Sequence, residues 1–324
     1  MTSIQLTKIS DDYTDYKYGY EPYNRPMEVL LEYGFIPLDK PPGPTSHEVV
    51  AWIRRILNVK KAGHSGTLDP QATGMLPIGL GEATKALSVL LLGSKEYYAI
   101  ARLHSPINRE RLDSILKEFV GKIYQRPPQR SAVKRSTRVR EIYELELVEE
   151  EGRLLLIRAS VEAGTYIRKL VYDIGEVLGV GATMIELRRT RVSNLNEKYM
   201  IRMHELVDAY TLWRESNDDT RLRSMILPIE SILKPLKSVI IRDSAVDALC
   251  HGAQLAVPGI LQVSSDLRRG ELTAIYTLKG EVVALAESLM SINELMEAEK
   301  GIAFKTNRII MKPDTYPRAW KGKE

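Results

Sequence analysis

Apolar residues recur along the chain with two different spacings, and these spacings predict where strands and helices lie. A short apolar run over 34–39 predicts a strand, which stops at the proline- and glycine-rich loop 40–44 because regular structure cannot pass through it. Thr45 is the expected N-cap of a helix, since Glu48 follows three residues later and completes a capping box. The apolar positions of that helix predict one core-facing stripe, formed by Val49, Val50, Ile53, Ile56 and Leu57.

The middle of the chain predicts three further strands and a second helix. Strands are expected over 97–103, 142–148 and 154–161. A helix is expected over 166–178, where apolar residues return at helical spacing, and Gly179 is the residue expected to terminate it. Because helices and strands interleave without regular βαβ spacing, the sequence predicts an α+β fold and not a doubly wound parallel sheet.

Length and local composition divide the chain into four parts. A chain of 324 residues is long for one domain and suits a larger and a smaller one. Residues 1–33 lack helical or strand periodicity and predict an extended N-terminal arm, and residues 34–234 predict the main domain. Residues 235–312 predict a small β-rich module, and residues 313–324 a basic tail. The expected strands of the module, separated by glycines, cover 239–241, 261–263, 272–278, 282–286 and 308–311.

Cysteine content and hydropathy exclude several classes of protein. Cys250 is the single cysteine, which excludes an intramolecular disulfide and a multi-cysteine zinc site and is typical of a reducing compartment. The chain has no run of 18 apolar residues and no basic-then-apolar leader, so neither a membrane span nor a signal peptide is expected. A cytoplasmic protein without a membrane partner is the resulting prediction.

Charge is unevenly distributed on a chain whose net charge is only +4. Residues 119–140 contain seven basic residues and no acidic ones, and residues 300–324 contain seven basic residues and two acidic ones. Such stretches indicate contact with a polyanion such as RNA. Charge alone leaves the alternative open that both stretches are solvated protein surface.

The segment 63–77 has the composition of a loop that fixes one acid in place. It contains three glycines and two prolines around a single carboxylate, Asp69, and a single histidine, His64. Pro70 disfavours the helical region for Asp69, so the carboxylate is expected to project from extended backbone toward a ligand. An ordinary Asp-Pro turn without a functional role is the alternative that these residues alone leave open.

Four separated segments, in order, resemble the motifs of the TruB branch of RNA pseudouridine synthases, which includes dyskerin and its archaeal relatives. They are 39–46, 63–77, 95–97 and 164–190. The resemblance covers about 34–192 and implies a pseudouridine synthase domain with a mixed, largely antiparallel sheet flanked by helices. The implied activity is the isomerisation of uridine to pseudouridine in RNA, without a metal ion or an organic cofactor.

The resemblance also implies roles for three catalytic residues. Asp69 is the expected acid, which acts at the ribose either by adding to C1′ or by promoting a glycal. Arg168 is expected to hold the charge of Asp69, and Tyr97 to stack on the target base. From the residues alone, a solvated helix arginine and a core tyrosine remain the alternative interpretations.

Further residues are implied to contact the RNA or to support the pocket. His64 is expected to wedge against the RNA where the base leaves its stack, although a loop histidine is often incidental. Lys40 and Leu187 are expected to support the pocket. The stretch that resembles the archaeal and eukaryotic branch supplies the remaining RNA-contact candidates, which are Arg126, Arg130, Lys134 and Arg135.

The module 235–312 resembles a PUA domain, which binds guide RNA in the archaeal and eukaryotic branch. A threonine–aspartate-rich RNA-gripping insertion of bacterial tRNA-specific members is absent after the tyrosine strand. The sequence therefore predicts the catalytic subunit of an archaeal H/ACA ribonucleoprotein, which modifies rRNA through a guide RNA and also tRNA uridine-55. Expected protein partners are a zinc-ribbon-like protein, a glycine/arginine-associated protein and a kink-turn binder.

Two alternatives to this function remain open at the level of the sequence. One is a stand-alone tRNA uridine-55 synthase with the same chemistry. The other is a non-catalytic RNA-binding scaffold. The intact set of Asp69, Tyr97 and Arg168 argues against the scaffold, because a scaffold has no physical reason to keep all three.

Overall fold

The computed structural model describes residues 5–127 and 136–318 of the chain. The α-helices of these ranges are α1 (Met27–Tyr33), α2 (Ser46–Ile56), α3 (Ser88–Leu92), α4 (Arg109–Glu118), α5 (Ile167–Leu178), α6 (Met203–Ser216), α7 (Thr220–Met225), α8 (Glu230–Leu233), α9 (Asp243–Cys250) and α10 (Ile292–Glu297). In the same ranges, no helix has the length and apolar character that crossing a bilayer requires.

The strands fall into two sheets. They are β1 (Leu6–Lys8), β2 (Gly34–Lys40), β3 (Ala62–His64), β4 (Thr73–Leu80), β5 (Lys95–Leu103), β6 (Gly121–Gln125), β7 (Arg138–Glu151), β8 (Leu154–Val161), β9 (Ala182–Val192), β10 (Leu195–Asn196), β11 (Leu227–Pro228), β12 (Lys237–Ile241), β13 (Leu255–Ala256), β14 (Ile260–Ser264), β15 (Leu272–Tyr276), β16 (Val282–Ser288) and β17 (Ile302–Ile309).

The larger sheet has the order β11-β2-β4-β9-β5-β8-β7-β6, with β3 paired to β4 and β10 to β9. Its ladders are antiparallel except for a short parallel pair between β4 and β9, which joins Thr73 to Arg188 and Gly74 to Arg189. Helix α5 packs on β9 and β5, and helix α2 packs on β3 and β4. The predicted α+β fold with a mixed, largely antiparallel sheet is confirmed.

The smaller sheet has the order β1-β14-β12-β15-β16-β17-β13. The prediction of an N-terminal arm without regular structure is wrong in two places. Strand β1 pairs with β14, with Leu6 opposite Ser264, and α1 buries Met27, Leu30 and Leu31. A three-residue strand is too short to show a period, whereas the apolar spacing in α1 is present in the sequence.

Predictions from local sequence are confirmed where the contacts that determine an element lie close together in the chain. Thr45 and Glu48 form the predicted capping box at the start of α2, and α5 ends at Gly179 with a left-handed φ of 75°. Strand β8 has the predicted bounds. The strand expected over 308–311 is instead the end of β17, which begins at Ile302.

One hydrophobic core is shared by the two sheets. Phe35 and Met75 of the larger sheet pack in the same cluster as Val282, Leu285 and Ile310 of the smaller part. The two sheets are therefore held together by continuous apolar packing. The boundary between 234 and 235 stays a prediction.

A buried ion pair lies at the junction between the N-terminal segment and the two sheets. Arg25 donates two hydrogen bonds to Glu230, from Nη1 to Oε2 at 2.9 Å and from Nη2 to Oε1 at 2.7 Å. The side chains are 3% and 10% exposed. Glu230 Oε1 also accepts the backbone N–H of Val282, at 3.0 Å. The pair thus joins the segment before α1, helix α8 and strand β16.

We expect Arg25→Met to destabilise the protein by about 3–5 kcal/mol, because it leaves the Glu230 carboxylate buried without its partner. The free energy of unfolding from urea titration measures this loss. Because neither charge then remains, the double variant Arg25→Met/Glu230→Gln should recover part of the stability.

The exposed pair Arg109–Asp113 provides the matched control. Arg109→Met should leave the free energy of unfolding nearly unchanged, because an exposed ion pair in water contributes little. Equal losses in Arg25→Met and Arg109→Met would show that the buried pair does not hold the junction.

Candidate active site

Asp69 lies on the loop between β3 and β4, and several backbone contacts fix this loop. Leu68 is held by Ser46, whose Oγ accepts the Leu68 N–H at 3.0 Å and donates to its carbonyl at 3.2 Å. The N–H of Gly43 donates to the Pro70 carbonyl at 2.9 Å, and the N–H of Ala72 donates to the Asp69 carbonyl at 3.0 Å. The Asp69 side chain remains 49% exposed. The loop therefore presents its carboxylate from a constrained backbone to an open cleft.

Lys40, at the end of β2, binds the backbone of this loop. It is 0% exposed, and its Nζ donates to the carbonyls of Pro41, Pro70 and Ala72 at 2.9, 2.8 and 3.0 Å. Burial lowers the pKa of Lys40, and the negative charge of Asp69 opposes this lowering. Lys40 therefore holds the backbone of this loop, and its predicted support of the pocket stays a prediction.

Arg189 is a second buried cation beneath the loop, to which the sequence assigned no role. It is 1% exposed, and it donates from Nε to the Met75 carbonyl at 2.8 Å and from Nη2 to the Gly66 carbonyl at 2.9 Å. Gly74 pairs with it across the short parallel ladder. A Cβ at Gly74 would lie 2.2 Å from the Arg189 carbonyl oxygen, and the φ of Gly74 is +98°, so glycine is required.

Arg168, the second residue of α5, forms an ion pair with Asp69. Its Nη2 donates to Asp69 Oδ2, across 99 residues of sequence. The start of α5 is fixed by Gln125, whose Oε1 accepts the Tyr166 N–H at 3.0 Å and whose Nε2 donates to the Tyr166 carbonyl at 3.2 Å. The Arg168 side chain is 55% exposed. The predicted acid and guanidinium therefore meet at a position that a ligand can reach.

Tyr97 and Leu187 lie on neighbouring strands of the larger sheet. Tyr97 on β5 is opposite Arg189 on β9, and Leu187 is opposite Ala99. Both side chains are partly buried against the apolar cluster that contains Ile167 at the start of α5. They therefore occupy the side of the sheet that α5 covers.

The neighbouring Tyr98 takes the next position along β5, opposite Arg188. Because side chains alternate along a strand, only one of the two tyrosines faces the α5 side. Arg188 has a structural role, since its Nη1 and Nη2 donate to Asp39 at 2.8 and 3.1 Å. The hydrogen bonds to Asp39 raise the pKa of Arg188.

Lys95, two residues before Tyr97, is a further buried cation. It donates to the carbonyls of Leu90, Leu91 and Gly93 at 3.0, 2.8 and 2.7 Å and so caps the end of α3. Burial, together with the charge of Arg189, lowers the pKa of Lys95 to about 8. Its contacts anchor the strand that carries Tyr97.

His64 ends β3 at the entrance to the loop. Its ring meets the ring of His47 edge to face, with centroids 5.0 Å apart and planes at 84°. Its Nδ1 is buried and has no hydrogen-bond partner within residues 5–127 and 136–318. Burial, followed by the charges of His47 and Arg189, lowers the pKa of His64. The ring therefore packs against α2 at the start of the loop that carries Asp69.

The structure describes one of the four basic residues that are predicted to contact RNA. Arg126 is exposed after β6 and lines a groove of about 470 Å³ beside α5. Arg130, Lys134 and Arg135 lie outside the described residues. Their predicted RNA contacts stay predictions.

A possible metal-binding group lies away from this site. Among the described residues, Asp247, His251 and Asp314 bring three ligand atoms within 4.8 Å of one another. The cation position is already used by Arg318, whose Nη2 donates to Asp314 at 3.1 Å and whose Nε lies 3.6 Å from Asp247. The group is thus an ion-pair cluster of the protein.

Four family models match successive parts of the chain. The DKCLD (NUC011) domain matches residues 4–50, and the N-terminal domain of the TruB family of pseudouridylate synthases matches residues 54–167. The C-terminal domain of tRNA pseudouridylate synthase B matches residues 168–234, and the PUA domain matches residues 237–310. The smaller sheet thus corresponds to the PUA domain.

Curated relatives match the chain over nearly its whole length. A probable tRNA pseudouridine synthase B of Methanopyrus kandleri is 50% identical over 307 residues, which are 95% of this chain and 91% of the relative. The protein of the same name from Archaeoglobus fulgidus is 50% identical over 312 residues, or 96% of both chains.

Solved structures match equally well. One is a chain in the structure of an H/ACA ribonucleoprotein bound to a substrate RNA containing 2′-deoxyuridine, with a TM-score of 0.91, 45% identity and 98% of both chains covered. Another is a chain in a Cbf5-Nop10-Gar1 complex, with a TM-score of 0.91, 47% identity and 98% and 97% of the two chains covered. The chain therefore belongs to the TruB/dyskerin family and is an RNA pseudouridine synthase with a PUA domain.

Proposed function

We propose that this chain is the catalytic subunit of an H/ACA ribonucleoprotein and isomerises uridines that a guide RNA selects. The observation that supports this most strongly is the likeness, at a TM-score of 0.91 over 98% of the chain, to chains from two H/ACA assemblies. The proposed partners are a guide RNA, substrate rRNA, and small proteins such as the Nop10 and Gar1 of the similar complex. A kink-turn-binding protein completes the proposed assembly.

A second candidate function is guide-independent modification of tRNA at uridine-55. The names of the curated relatives, which are probable tRNA pseudouridine synthases, favour it. The chemistry at the site is the same for both substrates. The two functions differ only in how the RNA is held.

Asp69 is the proposed catalytic residue. Formation of pseudouridine breaks the bond between C1′ and N1, rotates the uracil, and joins C1′ to C5, after which C5 loses its proton. A carboxylate stabilises the cationic sugar carbon, as in glycosidases, and it either adds to C1′ or promotes a glycal. The half-exposed carboxylate on its braced loop is accessible to a ribose.

Arg168 keeps Asp69 ionised when RNA closes the cleft. Without RNA the ion pair is half exposed, and water screens its attraction. Bound RNA excludes that water, which disfavours a lone carboxylate but strengthens its interaction with a guanidinium. The pair thus becomes more important as the nucleotide enters.

The remaining residues position the target nucleotide. An enzyme that acts on a base must first remove it from its stack, and an aromatic ring gives the extruded base a surface to stack on. Tyr97 supplies this ring, Leu187 supports it, and the ring of His64 fills the space that the base leaves. Arg126, Arg130, Lys134 and Arg135 contribute positive charge toward the RNA backbone.

We expect Asp69→Asn to abolish isomerisation while RNA binding persists. The rate should fall by more than about 10⁴-fold, the order of loss when a nucleophilic residue is removed. Pseudouridine mapping of the RNA measures turnover, and a filter-binding assay measures affinity. Asp113→Asn on α4 is the control and should behave like the unchanged protein. Normal turnover by Asp69→Asn would refute the catalytic assignment.

We expect Arg168→Ala to lower the single-turnover rate by about 10²–10³-fold, typical for the loss of one electrostatic contact in a closed site. RNA affinity should change little, and Arg168→Lys should recover part of the rate because it keeps the positive charge. Arg111→Ala on α4 is the control. Equal losses of rate and affinity in Arg168→Ala would contradict the proposed ion-pair role.

The choice between the two functions requires a test with and without guide RNA. The purified chain, combined with its H/ACA proteins, should modify an rRNA fragment only when a matching guide RNA is present. Sequencing of RNA that copurifies with the chain should recover guide RNAs. Full activity on tRNA with no guided activity on rRNA would establish the stand-alone function instead.

A further inference from the structure

Helix α2 has one exposed face whose chemistry is not used by the site described above. His47, Ala51, Arg54, Arg55 and Asn58 are all exposed, and their spacing of four, seven, eight and eleven residues places them on one side. The opposite side of the helix buries Val49 and Ile53. We call His47, Arg54 and Arg55, with the intervening exposed positions, the α2 basic face.

The arginines of this face have no side-chain partner among the described residues. Within residues 5–127 and 136–318, neither the Arg54 nor the Arg55 guanidinium has a hydrogen bond or an ion pair. The single carboxylate of the helix, Glu48, is occupied, because its Oε2 accepts the Thr45 N–H at 2.8 Å. Lys60 is also exposed and follows the helix directly. Together with Lys60, the face therefore carries three positive charges against the single carboxylate of Glu48.

One end of the face is joined to the proposed active site. His47 contacts the ring of His64 edge to face, and Ser46 at the same end holds Leu68 of the catalytic loop. Arg54 lies seven residues further on, which is about 10 Å along the helix axis. The face therefore extends from the position where the base leaves the RNA toward a more distant surface.

Two simpler explanations account for part of these observations. Arginines in the last turn of a helix stabilise its C-terminal carbonyls, and Arg54 and Arg55 lie in that turn. This explains their position but not the exposed His47 at the other end of the same side. A protein partner is a second explanation, since arginine and tryptophan are enriched at protein interfaces, and a comparison of RNA affinities distinguishes it.

An aromatic ring beside the face also favours RNA. Trp52 is 40% exposed and lies next to Ala51 on the helix. Cations that follow a backbone, combined with an exposed aromatic ring for a base, are the usual composition of a surface for single-stranded RNA.

We propose that the α2 basic face binds the phosphate backbone of the substrate strand that leads away from the extruded uridine. This rests on the proposed function of the site, because that function places the target uridine at Asp69. His47 contacts the nucleotide next to the target, and Arg54 and Arg55 contact phosphates further along the strand.

The test compares two double variants in the full-length chain. Arg54→Gln/Arg55→Gln removes two charges from α2, and Arg111→Gln/Lys117→Gln removes two charges from α4 as the matched control. The probe is a fluorescein-labelled hairpin with a tRNA T-arm sequence and no guide RNA, and anisotropy gives its Kd over a range of salt concentrations. Thermal melting confirms that both variants are folded.

We expect the α2 variant to bind the hairpin about tenfold more weakly at physiological salt, with a salt slope smaller by about 1.4, or about 0.7 for each lost phosphate contact. Its single-turnover rate at saturating RNA should be unchanged, because the face does not touch the reacting atoms. The α4 variant should match the unchanged protein in affinity and slope.

Equal RNA affinity and equal salt slope in the two double variants would overturn the proposal. The α2 basic face would then be assigned to a protein partner. A loss of affinity that appears only when a guide RNA is added would also overturn the proposal. The strand bound by the α2 basic face would then belong to the guide RNA and not to the substrate. Normal turnover by Asp69→Asn refutes the catalytic assignment alone, since the binding comparison does not depend on turnover.

Discussion

The geometry of the loop that carries Asp69 depends on two buried cations whose charges are satisfied by backbone carbonyls. A buried cation without acceptors is strongly unfavourable, so the carbonyls of Pro70 and Ala72 must point at Lys40, and that of Gly66 at Arg189. Each hydrogen bond from a charged donor contributes about 1.5–3 kcal/mol. The loop is therefore held on both sides of Asp69, and its carboxylate needs no regular secondary structure to keep a defined position.

The loop that carries Asp69 contacts three cations. Lys40 lies beneath the loop, Arg168 contacts the carboxylate directly, and Arg189 fixes the backbone at Gly66 and Met75. The two buried cations bind acceptors that belong to the backbone, so the loop is held independently of the exposed ion pair between Asp69 and Arg168.

The sequence predicted the features that local rules control and missed those that depend on distant contacts. The capping box at Thr45 and the termination of α5 at Gly179 follow from residues within one helical turn. The meeting of Asp69 with Arg168 was predicted only through family resemblance, because no spacing rule joins residues 99 positions apart. Strand β4 was not predicted, since its glycines and prolines are typical of loops, and its parallel pairing with β9 requires Gly74. Arg189 gave no local signal, because a charged residue in a strand usually faces solvent.

The pairing of β1 with β14 has a consequence for the order in which the protein is made. Leu6 leaves the ribosome before its partner Ser264, which follows 258 residues later. Arg25 likewise precedes its partner Glu230 by 205 residues, and Glu230 in turn accepts the backbone N–H of Val282. Contacts of such long sequence separation form slowly, so Leu6 and Arg25 must remain without their partners while more than 200 intervening residues are synthesised. The junction between the two sheets is thus completed only after Val282 has been added to the chain.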